Sequence, residues 1–83
     1  MLFRSPEWRL IVAASGGTFR ATASMPVGTA VDIGTELGQI EARGGPKPVA
    51  ADFPATVLEW LVEDGDPIGQ GQPLVRLQPG GQD

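Results

Sequence analysis

A turn motif carrying two glycines is written twice in this chain, and the repetition limits the folds open to it. Residues 27–37 (Val-Gly-Thr-Ala-Val-Asp-Ile-Gly-Thr-Glu-Leu) align without a gap on residues 64–74 (Asp-Gly-Asp-Pro-Ile-Gly-Gln-Gly-Gln-Pro-Leu), at an offset of 37 (65 − 28). Gly28 meets Gly65, Val31 meets Ile68, Gly34 meets Gly71 and Leu37 meets Leu74. Upstream, Gly17-Thr18-Phe19 matches Ala55-Thr56-Val57 at an offset of 38 (55 − 17), so both halves carry the same order of elements. Two copies are too few for a solenoid, which needs several stacked repeats to bury a common core. At 83 residues the chain has room for one small core. The expectation is one domain over residues 8–78 with internal two-fold symmetry and no linker. Residues 1–7 and 79–83, poor in periodicity and rich in turn and polar types, are expected to be flexible termini.

Glycine and proline punctuate the sequence every few residues, and short aliphatic or β-branched stretches lie between them at 9–14, 17–21, 38–42, 48–51, 55–61 and 74–77. No segment holds a helical period. Gly28 and Gly65 fall where a tight turn needs a positive φ, and each is followed by an apolar anchor that pins the next strand. The pattern predicts an all-β fold, a flattened β-barrel or sandwich of two symmetry-related antiparallel sheets.

Composition removes whole classes of chemistry. The chain has no Cys, His or Tyr, which excludes disulfides, thiolate nucleophiles, zinc fingers and His-based acid/base catalysis within it. No metal site is expected. Net charge is −4 and the six basic residues are scattered, which argues against nucleic acid or an anionic membrane as partner. The apolar run at residues 10–14 falls far short of the roughly 20 residues of a membrane span, so a cytoplasmic protein is the expectation. Asp32, Glu36, Glu59, Glu63, Asp64 and Asp66 flank turns or alternate outward, the pattern of a solvated surface rather than of catalytic carboxylate pairs. Trp60, in an aliphatic context, reads as core filling. Trp8 reads equally as a cap on the barrel's open end or as an exposed contact for a partner.

Taken together, Gly-Asp-x-Val-x-x-Gly-Gln-x-Leu and a Glu-Ala hairpin after its first copy resemble the biotinyl/lipoyl attachment domain. Gly65 to Leu74 form the second copy; Gly28 to Leu37, continuing to Glu41-Ala42, form the first. Residues 14–19, Ala-Ser-Gly-Gly-Thr-Phe, are similar to the entry strand of the biotin carboxyl carrier subunit of acetyl-CoA carboxylase. No long insertion follows Phe19, so the protruding "thumb" of some such carriers is missing. The resemblance covers about residues 11–77. Carriers of this type read Glu-Ala-Met-Lys-Met at the hairpin, whereas this chain reads Glu41-Ala42-Arg43-Gly44-Gly45. Gly44 takes the place of the lysine to which, by the resemblance, biotin or lipoate is joined through an amide. No cofactor is therefore expected. Lys47, the chain's sole lysine, lies three residues past that position between Pro46 and Pro48, where the backbone is held extended. The Gly44-Gly45 pair is itself a suitable two-residue hairpin turn.

Three functions follow from these readings. The first is a non-biotinylated, carrier-like accessory domain that uses Arg43, Gly44, Gly45 and Lys47 to contact a protein partner: a carboxylase, a ligase or a biosynthetic enzyme. The second is a working biotin carboxyl carrier modified at Lys47. The third is a small enzyme or ligand-binding protein on the carrier fold, in which Arg43 or Arg20 would hold an acidic substrate. A pocket walled by Asp or Glu beside the hairpin would favour the third.

Overall fold

A computed structural model describes residues 8–22 and 24–80. Eight strands follow in order: β1 (Arg9–Val12), β2 (Gly17–Arg20), β3 (Ala30–Val31), β4 (Glu36–Ala42), β5 (Gly45–Ala50), β6 (Ala55–Trp60), β7 (Pro67–Ile68) and β8 (Pro73–Pro79). They form two antiparallel four-stranded sheets, ordered β1-β8-β6-β3 and β5-β4-β2-β7. Exchanging β1 with β5, β2 with β6, β3 with β7 and β4 with β8 turns one order into the other. The fold is an all-β flattened barrel-sandwich, as the strand pattern predicts.

The matched glycines do matched work. Gly28 and Gly65 have φ of 97° and 93°, and Gly34 and Gly71 have 87° and 84°, a region closed to most side chains. The Gly28 N–H donates to the Val57 carbonyl at 2.8 Å, and the Gly65 N–H to the Phe19 carbonyl at 2.7 Å. Likewise Gly34 donates to Ala51 and Gly71 to Ala13, both at 2.8 Å. Side chains close the turns in parallel: the Asp32 N–H donates to Thr35 Oγ1 at 2.9 Å, and the Gly69 N–H to Gln72 Oε1 at 3.0 Å. Each turn thus ties one half's loop to the other half's strand.

Between the sheets lies one apolar cluster. Phe19, Leu37, Ile40, Val57, Leu74, Val75 and Leu77 are its largest fully buried members, and no polar or charged residue is buried among those described. Because successive side chains on a strand point to opposite faces, Leu77 and Val75 reach the core from β8 while Arg76 between them turns outward to pair with Glu59 at 3.0 Å. Trp60 is half-buried against the cluster, its ring 5.8 Å from that of Phe19, and its Nε1–H donates to the Met25 carbonyl at 2.6 Å. It fills core space, in keeping with its aliphatic neighbours.

Two boundaries differ from expectation. β8 runs through Pro79, opposite Ala55, and the Gly80 N–H donates to the Pro54 carbonyl at 2.7 Å, so residues 79 and 80 are tied to the sheet. The polar composition of this tail hides a backbone bond. Residues 1–7 and 81–83, also expected to be loose, lie outside the described residues. β5 starts at Gly45 rather than at residue 48. Pro46 and Pro48 sit opposite Glu41 and Gln39 in the ladder to β4, whose register shifts only further along, between Glu36 and Gly38. On a strand with a partner on one side only, alternate positions need no donor, which is where an edge tolerates proline.

Candidate functional site

The β4–β5 hairpin packs Leu37, Ile40 and Val49 into the core and presents the residues of its turn to solvent. Its register pairs Ala42 with Gly45, Glu41 with Pro46 and Ile40 with Lys47, which leaves Arg43 and Gly44 as a two-residue turn. The turn is therefore Arg43-Gly44 rather than Gly44-Gly45. Gly45 opens β5 with a φ of +117°, while Gly44 has no left-handed conformation. The sequence could not separate the two, because Arg-Gly and Gly-Gly both suit so short a loop. A side chain added at Gly44 would meet nothing within 4 Å.

Arg43, Gly44 and Lys47 are exposed and Gly45 is half-exposed. Among the described residues, Arg43 and Lys47 have no ion pair, whereas Arg20 gives its Nε–H to Glu41 Oε1 at 3.2 Å. Arg20 thus already has a carboxylate partner, which Arg43 and Lys47 lack among the described residues. Lys47 lies within β5, opposite Ile40, so it belongs to the strand and not to the tip.

The carboxylates expected to be merely solvated have structural jobs as well. Asp64 Oδ1 accepts from the Ala21 N–H at 2.9 Å, Asp66 Oδ2 from the Glu63 N–H at 2.8 Å, and Asp32 Oδ1 from the Ile33 N–H at 2.8 Å. Asp at turn positions is the sequence signal for this role, with Asp64 and Asp66 flanking Gly65. Among the described residues no group of three or more Asp, Glu, His or Cys is placed to hold a metal ion.

Two cavities bear on ligand binding. One of about 380 Å³ has Phe19, Met25, Trp60 and Val62 in its walls, with Glu63 and Asp64 also lining it. The other, of about 150 Å³, lies beside β5 and includes Lys47, and no acidic residue lines it. The acid-walled pocket beside the hairpin that would mark an enzyme is thus not what this cavity offers. Trp8 is 47% exposed, with the Arg76 guanidinium 4.7 Å over its ring. No helix among the described residues is long and apolar enough to cross a membrane.

The biotin carboxyl carrier protein of acetyl-CoA carboxylase from Nostoc sp. is 32% identical over 69 residues, an alignment that covers 76% of this chain and 38% of that protein. A single-chain, multi-domain long-chain acyl-CoA carboxylase superposes with a TM-score of 0.82 at 25% identity, covering 96% of this chain. In sequence and in fold this chain is similar to a biotin carrier-type domain. It spans well under half the length of the Nostoc carrier protein, and 8% of the acyl-CoA carboxylase. No family model matches the sequence. Its two sheets have like connectivity, and a hairpin joins β4 to β5.

Proposed function

We propose that this chain is a carrier-type domain that works without a biotinyl group, as an accessory or protein-interaction component of an acyl-CoA carboxylase-type or biosynthetic system. One observation carries the reading. The hairpin turn consists of Arg43 and Gly44, and neither offers the amine on which an amide-linked cofactor is built. The family resemblance places the attachment lysine at this tip, so the residues present do not fit biotin or lipoate. Lys47 has an amine, but it lies on the strand between two prolines, away from the turn. What remains at the tip is an exposed guanidinium beside bare backbone, a surface suited to contact with a carboxylate-bearing protein partner. Arg43, Gly44, Gly45 and Lys47 are the contact residues of this proposal. The names of the two relatives favour an enzyme of the acyl-CoA carboxylase type as that partner, with a ligase or a biosynthetic enzyme as the other choices.

Co-expression with a biotin protein ligase, followed by intact-mass measurement, tests the reading. The native chain is expected at its unmodified mass, and Gly44→Lys is expected to gain one biotinyl group, since the site has room for a side chain. A biotinyl group on the native chain, mapped to Lys47, contradicts the proposal in favour of a working carrier. For the accessory role, affinity for carboxylase subunits of the source organism should fall about tenfold or more on Arg43→Glu, the effect of losing and reversing a well-placed interface charge.

A further inference from the structure

The loop after β2 and the loop after β6 face each other across the cavity of about 380 Å³, a size within the range of small-molecule pockets. Residues 21 and 24–26 line one side and residues 60 and 62–64 the other, with Phe19 of β2 between them. Two bonds bracket the space. Asp64 Oδ1 accepts from the Ala21 N–H at 2.9 Å, and Trp60 Nε1–H donates to the Met25 carbonyl at 2.6 Å, so each loop is tied to the other across the opening. The lining is mainly apolar, and against it stand Glu63 and Asp64, both exposed. Glu41 and Glu59 each hold an arginine, whereas among the described residues Glu63 and Asp64 have no ion pair. The bond to Ala21 also fixes the Asp64 carboxylate at the cavity, because Ala21 is part of its wall.

We infer that this cavity binds an arylalkylammonium ion, its ring against Phe19, Met25, Trp60 and Val62 and its ammonium beside the Glu63 and Asp64 carboxylates. The inference stands apart from the reading of the hairpin tip. Such a site selects at both ends of a ligand: the wall draws an apolar body out of water, and the two carboxylates attract a cation while repelling an anion. Aromatic and thioether groups in the wall favour a ring as that body. Size sets its extent. A cavity of roughly 150 Å³ admits benzene, so about 380 Å³ has room for about ten to fifteen non-hydrogen atoms. A free amine is preferred to a lysine side chain of a protein, because the four-carbon stem of lysine would fill well under half of the space.

Titration of the isotopically labelled chain with 2-phenylethylammonium chloride, followed by amide chemical shifts, tests this directly, with sodium 3-phenylpropionate at equal ionic strength as control. The expected result is saturable shifts confined to the residues of the two walls, seen with the cation and not with the anion. Ethylammonium, which lacks the ring, should bind about tenfold or more weakly, the effect of leaving one aromatic ring unburied. Glu63→Gln and Asp64→Asn should each weaken binding by about two- to fivefold, the size of an exposed charge pair, and by less at high salt. Asp64→Asn keeps an oxygen for the Ala21 N–H, and Glu63 has no ion pair to lose, so both variants should stay folded and the measurement readable. Shifts that fail to saturate, equal affinity for the anion, or unchanged affinity in both variants would overturn the site. Tighter binding of N-acetyl-lysine N-methylamide than of 2-phenylethylammonium would overturn the free amine in favour of a lysine side chain.

Discussion

The two glycine turns and the hairpin tip are all short reversals of the chain, yet they are held in opposite ways. At residues 28–35 and 65–72, backbone bonds tie each turn to the other half, side chains close the turns locally, and the matched glycines 28, 34, 65 and 71 sit at positive φ. At residues 43–44 the turn is closed by its own strands, and a side chain added at Gly44 would touch nothing. The difference separates the residues the fold requires from those left free for recognition. It also means that the residue at position 44 can change with little cost to the barrel.

Substitutions can break that contrast, and the largest effect should come from the paired anchors. Leu37→Ala and Leu74→Ala empty the same fully buried layer from opposite sheets, and each should cost about 2–5 kcal/mol in denaturant unfolding. A loss in one far larger than in the other would mean that the two halves do not share the core equally. Next come the turn glycines: Gly28→Ala and Gly65→Ala place a side chain at φ near +95°, for an expected loss of about 1–3 kcal/mol each. Within the hairpin, Gly45→Ala should show a loss of that same order, about 1–3 kcal/mol, whereas Gly44→Ala should stay within about 0.5 kcal/mol of the native chain. Equal costs at these neighbours would place the turn one residue further along. Smallest of all, Arg20→Ala removes an exposed ion pair with Glu41 and should change stability by about 0–1 kcal/mol, less at high salt.

Much of the barrel can be read from the sequence, because its cues are local and occur in matched pairs. The offset between Gly28 and Gly65 marks turns whose φ values agree within a few degrees, and the aliphatic stretch at residues 74–77 falls within β8. β3 and β7 escape such reading: at two residues each they are too short to show any period, and only their pairing with β6 and β2 defines them. The start of β5 escapes for another reason, since Pro46 and Pro48 argue against a strand until its edge position is known. At the candidate site, the absence of lysine from the tip is legible, but the register that puts Arg43 rather than Gly45 in the turn is not. The cavity beside Trp60 is invisible in sequence. Met25 and Trp60 stand far apart along the chain, and only the joining of the two halves brings them to one cavity.

We propose that the hairpin tip of this carrier-type domain offers no amine on which a prosthetic group could be built. Intact-mass spectrometry of the chain purified from its native host tests it most directly. The expected result is the mass of the unmodified polypeptide, with Lys47 as a free amine; a population bearing a covalent biotinyl or lipoyl group would overturn the proposal.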